Sequence, residues 1–106
     1  MRLTDRGWFI YNVYMKYFDW DSEKNDTLKK ERGVGFEEVL IAIEEGDILD
    51  IVEHSNRNKY PNQRVFIVRL YEYAYLVPFV EDEEKIFLKT IIPSRKATKR
   101  YIQKSI

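Results

Sequence analysis

The chain has 106 residues, with 18 basic and 18 acidic side chains and a formal net charge of zero. That length suits one domain spanning residues 1–106; 44% hydrophobic residues can build a core and 34% charged residues keep it solvated. No cysteine and a single histidine exclude disulfide frameworks, thiolate nucleophiles, cysteine-bound zinc and multi-histidine metal sites.

No apolar run approaches the ~20 residues of a membrane span, and the aromatic N-terminus is unlike a signal peptide, so no membrane role and a cytoplasmic location are expected. In chain order, WFIYNVY (Trp8 to Tyr14) reads as a strand or as an upstream extension, since Met15 is an alternative start. Lys16 to Asp19 reads as a short strand. Asp21 is a good N-cap for a helix over Ser22 to Arg32, and Gly33 a good stop. This helix is polar, with Leu28 its only large aliphatic side chain, and must lie on the surface beside Trp20. Phe36, Val39, Leu40 and Ile43 recur at helical spacing before Gly46, which predicts a second helix with an apolar face.

Ile48 to Glu53 reads as a strand, and His54 to Asn62 as a polar loop. Gln63 to Leu70, Ala74 to Val80 and Lys85 to Ile92 then predict three strands of an antiparallel meander. Pro78 argues for an edge position or a bulge. Ser94 caps a basic C-terminal helix. The expected fold is α+β: a small antiparallel sheet of about four strands with two N-terminal helices and a C-terminal basic helix. Helices on one face would leave the other open for chemistry.

Charge is segregated along this order. Phe36 to Glu53 holds seven acids and no base, and His54 to Leu70 holds four bases and no acid. Glu81 to Glu84 is a run of four acids, and Pro93 to Ile106 holds five cations and no acid. Cations gathered beside Tyr101 suit a phosphate-rich ligand, and equally suit a solvated helix whose C-terminal dipole favours them.

His54, Arg64, Arg95, Lys96, Arg100 and Tyr101 converge if the tail helix packs beside the polar loop. Guanidinium groups hold phosphate in a bidentate fashion and stabilise a phosphorane, and a histidine can move the proton of a ribose 2′-hydroxyl. Each residue also has a plainer role. His54 suits a turn bonded to backbone, Arg64 a cross-strand ion pair, and Tyr101 a core-facing position. Asp47, Asp50 and Glu53 are better read as solvated than as a magnesium site.

The motifs taken together resemble the BrnT family of bacterial type II toxins. The resemblance runs from Phe18-Asp19-Trp20-Asp21 and Lys24 through Gly33-Val34-x-Phe36-Glu37-Glu38, His54-Ser55 and Arg64-Val65-Phe66-Ile67 to Ser94-Arg95-Lys96-Ala97-Thr98-Lys99-Arg100. It implies a fold similar to the RelE-type ribonuclease toxins and metal-independent cleavage of RNA with no cofactor. It also implies a cognate antitoxin protein as partner, with operator DNA engaged only through that antitoxin. On the matching positions it implies catalytic roles for His54, Arg64 and Arg95. Trp20, Lys24 and Lys96 fall on its RNA-binding surface, to which the tail adds Arg100 and Tyr101. The chain departs from the family at Glu31-Arg32, at Gln63, in a longer loop after His54, and in Met1 to Tyr14. The departures at Arg32 and Gln63 motivate a second expectation, a non-catalytic toxin-like scaffold that only binds its partner or nucleic acid.

Overall fold

A computed structural model describes residues 16–103. The strand expected over WFIYNVY lies outside the described residues. The order is β1 (Tyr17–Asp19), α1 (Ser22–Arg32), α2 (Phe36–Glu44), β2 (Ile48–Glu53), β3 (Arg64–Leu70), β4 (Tyr73–Glu81), β5 (Lys85–Leu88), β6 (Ile92–Pro93) and α3 (Arg95–Tyr101).

The two N-terminal helices form for local reasons. Asp21 Oδ1 accepts the Glu23 and Lys24 amides at 2.8 and 3.2 Å, which caps α1. Gly33 closes it in the left-handed region, at φ 72°, with its N–H on the Lys29 carbonyl. The short connection between the helices is stitched by Asn25. This buried side chain accepts the Phe36 amide at 2.7 Å and donates to both Glu37 carboxylate oxygens at 3.0 Å. Sequence pattern misses Asn25, because its polarity places it with the exposed residues of α1.

The sheet follows the path β1-β5-β4-β3-β2, with β6 paired to β4. It has six strands rather than about four, and it is mixed, because β1 runs parallel to β5. The single strand expected over Lys85 to Ile92 is two, β5 and β6, both antiparallel to β4. Pro78 explains the break. It lies inside β4, a central strand, opposite Val65. Its carbonyl accepts the Lys89 amide at 2.8 Å, so its missing N–H faces the same side, in the gap between β5 and β6. The proline is therefore not at an edge. It sits at an irregularity of the bulge kind, since Phe79 pairs with Leu88 but Leu76 with Ile92, leaving residues 77 and 78 opposite 89 to 91.

One face of the sheet carries α1 and α2. Leu28, Phe36, Val39 and Ile43 pack there on Phe66, Val68, Val77, Phe79, Ile86 and Leu88, all buried. Phe66 and Phe79 stack across β3 and β4 with centroids 4.1 Å apart. The opposite face, expected from sequence to be open, is partly covered by α3. Ala97 packs there with Ile67 and Ala74, flanked by Leu49, Val52, Leu76, Tyr101 and Ile102. Small residues at 74 and 97 let the helix approach closely. Thr98, almost fully buried, accepts the Ala74 amide at 2.9 Å and donates to the Ser94 carbonyl at 2.8 Å.

Candidate functional site

Strand alternation decides where the expected site residues point. Arg64 shares a side of β3 with Phe66, Val68 and Leu70, which face α1 and α2. Its guanidinium lies 5.5 Å over the Phe79 ring and hydrogen-bonds Glu81, two residues further along β4. Glu81 also accepts from Lys16 at 2.6 Å. Burial works against the Glu81 carboxylate, but the bonds from Lys16 and Arg64 and their charges outweigh it and hold its pKa below the ordinary value. One carboxylate thus bridges two cations, and the cross-strand pair fixes the direction of the guanidinium.

His54 follows β2 directly, and its amide donates to the Gln63 carbonyl at 3.1 Å. That bond places it beside the start of β3. Its Nδ1 accepts the Asn56 amide at 3.0 Å, and its ring packs on Tyr60 with centroids 4.4 Å apart. In the neutral ring this acceptor leaves the proton on Nε2. The Nδ1 lone pair is occupied, so Nε2 is a hydrogen-bond donor, suited to holding an anionic oxygen. The loop after His54 is ordered by its own turns, with Asn56 accepting the Lys59 and Tyr60 amides at 3.2 and 2.9 Å.

Helix α3 projects Arg95, Lys96, Lys99 and Arg100 into solvent while Ala97 and Thr98 are buried. None of the four makes an ion pair among the described residues. Tyr101 turns back to the sheet and donates to Asp50 Oδ2 at 2.6 Å. Asp50 meets Tyr101 by ordinary alternation, sharing the α3 face with Val52. Ile48 pairs with Val68 and Asp50 with Ile67, so a bulge sets Leu49 and Asp50 together opposite Ile67, and Leu49 joins the α3 face too. Asp50, expected as a solvated carboxylate, is a docking point for the helix.

The structure thus brings His54 and Arg64 to one end of β2 and β3, but it sets Arg64 and α3 on opposite faces. The six-residue convergence expected from sequence does not form. Trp20 stacks on the buried Phe36 ring with centroids 5.6 Å apart and is only partly exposed, so its main contact is the core. Lys24 is exposed on the first turn of α1. Arg32, one of the departures from the toxin pattern, serves the fold, because its guanidinium donates to the Ile91 carbonyl.

Glu81 is the site residue that sequence reasoning misses, since the run from Glu81 to Glu84 reads as an acidic turn. Among the described residues no group of three or more histidine, aspartate or glutamate side chains is gathered as a metal site. No helix among them is long and apolar enough to cross a membrane. Comparison of the chain with protein-family models, with curated proteins and with solved structures finds no match in any of the three.

Proposed function

We propose that this protein is an RNA-cleaving toxin of a type II toxin–antitoxin pair, cytoplasmic and held inactive by a cognate antitoxin. The observation that carries the RNA part is the cationic face of α3. Lys99 and Arg100 lie in its last turn, where the helix dipole favours them. Arg95 and Lys96 lie in the first turn, where the same dipole disfavours cations by about 0.3–1 kcal/mol each. Helix stability does not call for them there, whereas a polyanion does. The cutting part rests on the ordered motifs from Phe18 to Arg100. A strand, two helices, a meander and a basic helix in that order support a RelE-like reading of the fold.

In the reaction the ribose 2′-hydroxyl gives its proton to water as its oxygen attacks the adjacent phosphorus. A P–O2′ bond forms, the P–O5′ bond breaks, and the leaving 5′-oxygen takes up a proton from water. The products are a 2′,3′-cyclic phosphate and a 5′-hydroxyl. Arg64, aligned by Glu81, is suited to the added charge of the phosphorane. His54 Nε2–H is suited to hydrogen-bond the leaving 5′-oxygen, which takes its proton from water. Arg95 and Lys96 then hold backbone rather than reacting atoms. Because α3 and Arg64 face opposite ways, the bound RNA must pass around the end of the sheet.

A second reading, a scaffold that binds without cutting, draws on the same separation and on the occupied Nδ1 lone pair of His54. Purified protein incubated with single-stranded RNA in excess EDTA separates the two. Fragments with cyclic phosphate ends support the toxin; salt-sensitive binding with intact RNA supports the scaffold.

A further inference from the structure

Four large hydrophobic side chains are exposed among the described residues: Tyr17, Ile41, Tyr71 and Ile92. Two of them, Ile41 and Tyr71, line the same cleft of about 220 Å³ between α2 and the β3–β4 turn. Tyr71 is 73% exposed and Ile41 53%. The cleft lies at the end of the sheet covered by α2, on the face opposite α3.

The turn that carries Tyr71 is built against its own backbone preference. Tyr71 and Glu72 join β3 to β4 as a two-residue turn with φ of 55° and 64°. Such turns take Asn-Gly or Asp-Gly, and a residue with a bulky side chain is strained in this region. The Tyr71 hydroxyl donates to Glu38 on α2, so the ring is fixed across the mouth of the cleft. Hairpin closure alone is better served by asparagine and glycine; the tyrosine instead presents a rigid aromatic surface to solvent.

The rim decides what this surface fits. Glu38, Glu45 and Asp47 line it against one cation, Arg69, whose guanidinium pairs with Glu72 at 3.6 Å. The surrounding segment from Phe36 to Glu53 has seven acids and no base. An acidic rim repels nucleic acid and attracts lysine and arginine. The volume is below the ~300–1,000 Å³ of small-molecule sites and accommodates a single large side chain. We infer that the Ile41–Tyr71 cleft docks a cationic segment of a partner protein, with one apolar side chain seated between Ile41, Ala42 and Tyr71 and flanking lysine or arginine on Glu38, Glu45 and Asp47. The inference is independent of the RNA reading, which concerns the other face.

The test uses a 14-residue helical peptide with one central leucine and four lysines, and a control peptide with those lysines replaced by glutamate. Amide chemical shifts of the labelled protein are followed up to about 1 mM peptide, the weak end of measurable affinity. The cationic peptide is expected to shift Ile41, Ala42, Arg69 and Tyr71, more weakly as salt rises, and the acidic peptide to shift nothing. Tyr71→Asn combined with Glu72→Gly relieves the turn, so it is expected to fold at least as stably and to bind at least tenfold more weakly. No shifts at the highest concentration, equal response to both peptides, shifts centred elsewhere, or unchanged affinity in the double variant each overturn the proposal. So does concentration-dependent self-association that closes the cleft before peptide is added.

Discussion

Tyr101 donates its hydroxyl to Asp50 across 2.6 Å, tying the last residue of α3 to a bulge in an edge strand. With the bond from Ala74 to Thr98, it sets a seven-residue helix in place on the second face of the sheet. A helix this short has little stability of its own, so its position depends on such tertiary contacts.

Removing either anchor therefore loosens the cationic face. Tyr101→Phe deletes one charge-assisted bond and is expected to cost about 1.5–3 kcal/mol. Thr98→Val leaves the buried Ala74 amide without its acceptor and is expected to cost about 1–3 kcal/mol. Urea denaturation reads both, and amide exchange in α3 should accelerate more than in α2.

The larger core sits under α1 and α2. Phe66 is fully buried and stacks on Phe79. Phe66→Ala is expected to cost about 3–5 kcal/mol by transfer and cavity terms together. A midpoint shift in urea, with unchanged slope, checks it.

Acid should weaken the fold through Glu81. Its pKa is lowered in the folded state despite burial, by Lys16 and Arg64, so the stabilisation is present above the unfolded glutamate value of about 4.3. It is lost as pH falls through the lower folded value. Glu81→Gln should flatten the fall in stability below that point without abolishing it. Asp82, lowered by the Glu84 and Lys85 amides, and Glu37, lowered chiefly by Asn25, act in the same direction. Denaturant midpoints between pH 7 and 3 for parent and variant measure the difference.

RNA held by α3 should show its cations directly. The slope of log affinity against log salt is expected to fall in magnitude by about 1.4 when Lys96 and Arg100 are both replaced by glutamine, roughly 0.7 for each. An unchanged slope would place the RNA elsewhere.

Much of this architecture was legible from local pattern. Asp21, Gly33 and Ser94 mark helix ends by chemistry that needs no tertiary context, and Phe36, Val39 and Ile43 mark the buried stripe of α2. The alternation of RVFIVRL is readable in the sequence too, and it sets Arg64 with Phe66 and Val68, away from Ile67 and Arg69. What was not legible depended on register. The connection between β3 and β4 is the two residues 71 and 72, not three, and this sets Arg64 opposite Phe79 with Glu81 within reach. The bulge in β2 leaves no mark in a run such as ILDIVE, yet it sets Leu49 beside Asp50 on the α3 face, and the bond from Tyr101 to Asp50 depends on where α3 packs. The split of the last strand was hidden because Pro78, its cause, is ten or so residues away in the neighbouring strand.

The central claim is that RNA is cut and that Arg64 stabilises the reacting phosphate. Its most direct test is induced expression in a bacterial host, following growth and the 5′ ends of cellular RNA, with Arg64→Lys and Arg64→Ala beside the parent. Arg64→Lys keeps a cation for Glu81 and loses the forked donor, so folding should survive while cleavage falls. The account predicts growth arrest and new 5′-hydroxyl ends for the parent, and loss of both in each folded variant. A folded parent that causes neither, or an Arg64→Ala variant as toxic as the parent, would contradict it.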